Sequence, residues 1–123
     1  MIVLDSSAVV ALFKGRADGE RVRDHIMNES VALSSITLHE VMVGLDGRDA
    51  TAFDTFLGNV HLLPFDEDAA RKSVALERTL ARKGQLIGRL DIFIAATCLT
   101  HNLALLTLDR DFAMVDGLRL VEI

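Results

Sequence analysis

Short apolar runs alternate along this chain with longer stretches whose apolar residues return every three or four positions. The runs Ile2–Leu4, Val31–Leu33, Val60–Leu63, Leu103–Leu106 and Leu118–Val121 read as strands. Helical spacing is expected at Ser7–Phe13, Asp18–Asn28, Ile36–Leu45, Ala50–Leu57, Glu67–Lys83 and Leu90–Thr100. Gly58-Asn59, His101-Asn102 and Asp116-Gly117 stand before the third, fourth and fifth strands, where helix ends and turns belong. Glu67–Lys83 opens with acids and closes on Arg82-Lys83-Gly84, matching a helix dipole and a glycine C-cap. Ile92–Leu99 is apolar nearly all round, so as a helix it must be covered on most sides, with Cys98 a buried, inert filler. Strands alternating with helices predict an α/β fold: βαβ units around a central parallel five-stranded sheet, in a single domain spanning residues 1–123.

Composition agrees with a packed domain: 50% of the 123 residues are hydrophobic, 25% are charged and one is proline. The lone Cys98 excludes an intrachain disulfide and suits a reducing cytoplasm. Met1-Ile2-Val3-Leu4-Asp5 lacks the basic start of a signal peptide, and no apolar run nears the ~20 residues that span a bilayer, so a cytoplasmic protein without a membrane partner is expected. In that compartment Asn28-Glu29-Ser30 is a chance glycosylation match. The net charge of −5 argues against a polyanionic partner until its distribution is considered. Arg71, Lys72, Arg78, Arg82, Lys83 and Arg89 face one acid, Glu77, within residues 71–89; this stretch carries +5 and the rest of the chain −10.

Four acids stand where chemistry gathers in such folds. Asp5 directly follows the first strand, at the carboxyl edge where open α/β sheets place ligand groups; it also suits an N-cap for the helix beginning at Ser6-Ser7. Glu40 completes a capping box in Thr37-Leu38-His39-Glu40, or, if Ser34 or Ser35 caps the helix, lies in the second turn and can face the strand ends. Asp91 interrupts the apolar stretch Gly88–Ile94 at a helix start. There a dipole contribution of about 0.3–1 kcal/mol falls short of the cost of burying an unpaired ion, so a cation or hydrogen-bonding partner is implied. Asp109 follows the fourth strand, with Asp111 and Asp116 as alternatives for its place. With the first strand central and the fourth beside it, right-handed crossovers bring all four acids to one rim. Two carboxylates about 4 Å apart repel by roughly 4 kcal/mol at an effective dielectric of 20, so such a cluster needs protons or a bound cation. Oxygen donors without a second cysteine point to Mg²⁺ or Mn²⁺, ions suited to phosphodiester hydrolysis.

At these residues the sequence resembles the PIN-domain family, specifically its VapC-like toxins, along its whole length. The matching pieces are Val3-Leu4-Asp5-Ser6-Ser7, then Ser34, Ile36, Thr37, Glu40, Val41 and Gly44 with their spacing, Gly88 to Asp91 followed by Ile94-Ala95-Ala96, and Leu106-Thr107-Leu108-Asp109 before Phe112. The resemblance implies a three-layer α/β/α fold, a homodimer, Mg²⁺- or Mn²⁺-dependent endoribonuclease activity on an RNA substrate, and inhibition by a small antitoxin. It makes Asp5 and Asp91 the principal metal ligands with Asp109 assisting, Glu40 a ligand of a second ion or activator of water, and Thr107 and Ser6 supporting hydrogen bonders.

The basic face of Arg78, Arg82, Lys83 and Arg89 suits an RNA backbone leading to the acids, and equally suits a solvated helix end whose cations complement the dipole. Two other enzymes have comparable acidic pockets. A phosphotransfer receiver would carry two early acids and an aspartate ending the third strand, where only Asp66 is near; a haloacid-dehalogenase-like phosphatase would need an acid at Ser7. A non-catalytic protein-binding module, with the acids serving as caps, is the remaining alternative.

Overall fold

The computed structural model describes all of residues 1–123. Its strands are β1 (Ile2–Leu4), β2 (Val31–Ser34), β3 (His61–Leu63) and β4 (Ala104–Leu106), all parallel, in the order β3-β2-β1-β4. The helices are α1 (Ser6–Phe13), α2 (Ala17–Ile26), α3 (Ser35–Gly44), α4 (Gly47–Leu57), α5 (Glu67–Arg82) and α6 (Arg89–His101), followed by a 3₁₀ helix at Arg110–Met114.

Strand alternation divides the core into two layers of side chains. Val3, Ala32 and Leu105 point toward α5, α6 and the 3₁₀ helix, where they meet Leu80, Ile94 and Phe112. Leu4, Leu33 and Leu106 point the other way and pack with Val9, Val22, Val41 and Phe53 of α1 to α4. Period-two strands between two helical layers produce a three-layer α/β/α sandwich. The all-round apolarity of α6 is explained by its place: Ile92 and Ile94 to Cys98 are buried. Burial pushes the Cys98 thiol up to about 12, so it stays protonated and unreactive.

The sheet has four strands, not the expected five. The segment Leu118–Val121 does lie beside β4, but it pairs only through an isolated bridge between Leu105 and Leu120. Arg119 O and Val121 N take both backbone groups of Leu105, each at 2.9 Å. Below that point the Leu103 amide is already bonded to Cys98 O at 3.0 Å, where α6 ends on a left-handed Asn102. Past Leu106, where β4 ends, no further bridge forms. No helix is long and apolar enough to cross a membrane.

The corner between α1 and α2 is tightly closed. A Cβ on Gly19 would lie 2.3 Å from the carbonyl oxygen of Ala11, so only glycine lets the two helices approach this closely. Gly19→Val is expected to cost about 1–3 kcal/mol, as overpacking does, and to lower Tm by several degrees in a calorimetric scan. An unchanged Tm would contradict this packing.

Candidate active site

Strand register gathers the chemistry at one edge. Leu4 pairs with Leu106, so the next residues, Asp5 and Thr107, leave the sheet side by side. The Thr107 hydroxyl donates to Asp5 Oδ2 at 2.6 Å, and its oxygen accepts from the Asp109 amide at 3.0 Å. Ser7 repeats the pattern: its hydroxyl donates to Asp5 Oδ1 at 2.8 Å and accepts from the Leu108 amide at 3.0 Å. Asp5 Oδ1 also accepts from the Ala8 amide at 3.1 Å. Asp5 is thus the N-cap of α1, and it performs that role at the carboxyl edge of the sheet.

Asp5 is 3% exposed, and burial raises its pKa against the lowering effect of Thr107, Ala8 and Ser7. A carboxylate offers about four acceptor positions, and three are filled, leaving one on Oδ2.

Ser34, at the end of β2, caps α3 by accepting from the Thr37 amide at 3.0 Å. The capping box therefore does not form, and Glu40 lies in the second turn, where its Oε1 accepts from Ser6 at 2.5 Å. Asp91 occupies the first turn of α6, whose N-cap, Gly88, contributes no side-chain bond. Asp109 caps the 3₁₀ helix by accepting from the Asp111 amide at 2.9 Å.

Carboxylate oxygens of Asp91, Asp109 and Asp111 lie within 4.8 Å of one another. Asp5 and Glu40 stand outside that trio, yet both act on Asp91 electrostatically. Partial burial first, then the charges of Asp109, Asp5, Glu40 and Asp111, push the Asp91 carboxyl up to about 6. Desolvation alone would raise a half-buried carboxyl; the four acidic neighbours add to it, with no cation among the causes to oppose them.

Asp111 was only an alternative in the sequence; its signal was the two-residue spacing from Asp109. Asp116, the other alternative, pairs instead with Lys83. Asp66 accepts from the Ala69 amide at 3.0 Å as the cap of α5, which occupies the one residue a receiver reading could use.

The basic residues separate. Arg78 and Arg89 line one cleft between α5 and α6 with Phe93, and Arg89 is held in a two-pronged pair with Glu77 at 3.1 Å for each contact. Lys83 belongs to a different groove with Asp116, and Arg82 donates to Thr79 Oγ1 at 3.2 Å.

The sequence pattern of the PIN domain matches residues 2–118. The chain belongs to the PIN-domain family. Within that family it is 34% identical to VapC ribonuclease Y4jK of Sinorhizobium fredii, over 99% of this chain and 96% of that protein. It is 33% identical to Ribonuclease VapC5 of Mycobacterium tuberculosis, over 98% of this chain and 92% of that one. Among solved structures, VapBC2 from Rickettsia felis, bound to a DNA fragment from its promoter, shares the PIN fold with a TM-score of 0.82 at 26% identity, covering 98% of both chains.

The raised Asp91 value has a pH consequence. A carboxyl whose folded pKa lies near 6, above its ordinary 3.8, binds more protons when folded, so its contribution to stability is full below about pH 4 and is lost as pH rises through 6. In the absence of divalent ions, Asp91→Asn should therefore melt about 2–5 °C above wild type at pH 7.5, after allowance for solvent screening, and gain nothing at pH 4. Melting curves across that range check both the sign and the window.

Proposed function

We propose that the chain is a metal-dependent endoribonuclease, the toxin of a toxin–antitoxin pair, acting in the cytoplasm as a homodimer whose partner is a small cognate antitoxin. The observation that carries this reading is the carboxylate trio at the carboxyl edge of the sheet, with Asp5 and Glu40 beside it. Its relatives are named ribonucleases, a solved structure of similar fold is a toxin–antitoxin complex from Klebsiella pneumoniae, and the activity and partner are inferred from them.

The donor set fits a hard divalent cation, Mg²⁺ or Mn²⁺, because every group is a carboxylate oxygen and the cluster holds uncompensated negative charge. Asp91, Asp109 and Asp111 would hold it, with the remaining lone pair of Asp5 Oδ2 as a further donor. When bound, the ion supplies charge neutralisation at a phosphodiester and a water of lowered pKa.

The chain's own side chains do the rest. Ser7 and Thr107 hold Asp5 and, through the amides of Leu108 and Asp109, fix the turn carrying Asp109 and Asp111. Ser6 fixes Glu40 by Oε1 and leaves Oε2 free to accept a proton from an attacking water. Arg78 and Arg89, beside the first turn of α6, can approach the RNA backbone; Arg82 and Lys83, farther along α5, would contact it only at a distance from the acids.

Purified protein with labelled RNA and Mn²⁺ should produce internal cuts that EDTA abolishes, and Asp91→Asn should slow them by about 10²–10³-fold, the scale of a lost electrostatic stabiliser. Induction in cells should arrest growth with the wild type and not with Asp91→Asn, and co-expression of a small upstream neighbour should relieve the arrest. Equal cleavage by Asp91→Asn would contradict the assignment.

A further inference from the structure

A second cavity adjoins the acids on the side away from α5. It has a volume of about 440 Å³, is lined by Ser6, Ser7, Arg16 and Asp18 together with the apolar Val10, Ala11 and Leu108, and falls within the range of ligand clefts. Its wall is continuous with the active site, because Ser6 bonds Glu40, Ser7 bonds Asp5, and Leu108 leads into Asp109.

The charges in this cavity are unequal in their availability. Asp18 is paired with Arg21 at 3.2 Å, whereas the Arg16 guanidinium makes no ion pair and no hydrogen bond. Arg16 is the N-cap residue of α2 and does not cap it through its side chain. Its backbone is anchored on both sides: its amide bonds Ala11 O at 3.3 Å, its carbonyl accepts from Gly19 at 2.8 Å, and the Gly19 approach closes the corner. An exposed cation with no internal partner, its backbone anchored at the mouth of a cavity of mixed polar and apolar lining next to Ser6 and Ser7, suits an anion that enters with the substrate.

We propose that this cavity is a nucleotide subsite, in which Arg16 takes a phosphodiester flanking the one that is cut, so that the RNA strand crosses the acids between Arg16 and the Arg78–Arg89 cleft. The proposal rests on the ribonuclease reading. A planar guanidinium on a phosphate gives two parallel charge-assisted bonds, which a lysine replaces only in part. Ser6 and Ser7 already donate their hydroxyls to carboxylates, so the cation is the group that would bind the strand.

The test uses the full chain, a labelled single-stranded RNA oligonucleotide of mixed sequence, and Arg16→Ala, Arg16→Lys and, for equal net charge on the same helix, Arg23→Ala. In Mn²⁺, Arg16→Ala should raise KM about tenfold, as loss of a charged hydrogen bond does, with kcat nearly unchanged. The slope of log kcat/KM against log salt should fall by about 0.7, the value of one single-strand phosphate contact. Arg16→Lys should recover part of the loss, and Arg23→Ala should behave as wild type.

Anisotropy of the same RNA in EDTA reads the cavity without catalysis. Weaker binding by Arg16→Ala, with no cleavage by wild type in Mn²⁺, would remove the nuclease reading and keep the Arg16 cavity as an RNA-phosphate contact. Unaltered binding, KM and salt slope in Arg16→Ala would overturn the subsite whether or not the wild type cuts. So would an effect confined to affinity for a co-purified antitoxin, which would make the cavity a protein-binding surface.

Discussion

The structure depends on keeping like charges together at one end of a small parallel sheet. Ionised carboxylates this close repel, by about 1 kcal/mol where water screens them fully and more where the protein excludes it, and nothing in the local chain compels them to meet. They meet because the backbone gives them no alternative. Parallel register delivers Asp5 and Thr107 at neighbouring strand ends, and the crossovers start α1, α3 and α6 on the same rim. Burial first, and then the charges of Asp109, Asp5, Glu40 and Asp111, raise the Asp91 carboxyl, and a bound cation would offset both.

Two hydroxyls convert that placement into a fixed geometry. Ser7 and Thr107 each span β1 and the chain beyond β4, donating to a carboxylate and accepting from an amide. Asp5 thereby caps α1 and ties together the chain beyond both central strands, and every buried side-chain polar atom finds a partner. The 3₁₀ helix after Asp109 completes the arrangement by turning Asp111 back toward Asp91.

Much of this was legible in the sequence, and what was hidden had physical reasons. The two core layers follow from strand alternation at Val3 and Leu4 and from the unbroken apolarity of Ile94 to Cys98. Leu118–Val121 has the composition of a strand, but whether a strand forms depends on free partners, and the bond from Leu103 to Cys98 removes one. Asp5, Glu40, Asp91 and Asp109 stood out by position, whereas the inclusion of Asp111 and the exclusion of Asp116 turned on a short helix and on a lysine from another element. The basic stretch read as one face because it is continuous in sequence; α5 and α6 divide it between separate clefts. Arg16 drew no notice, since a lone arginine before a helix has no signal until the fold sets it in one cavity with Ser6 and Ser7.

The most direct test of the central claim is anomalous diffraction from crystals of the full chain soaked in Mn²⁺. The account predicts a peak within coordination distance of oxygens from Asp91, Asp109 and Asp111, and its loss in crystals of Asp91→Asn. A fully soaked crystal with no manganese at that edge of the sheet, its carboxylates turned to separate partners, would contradict it.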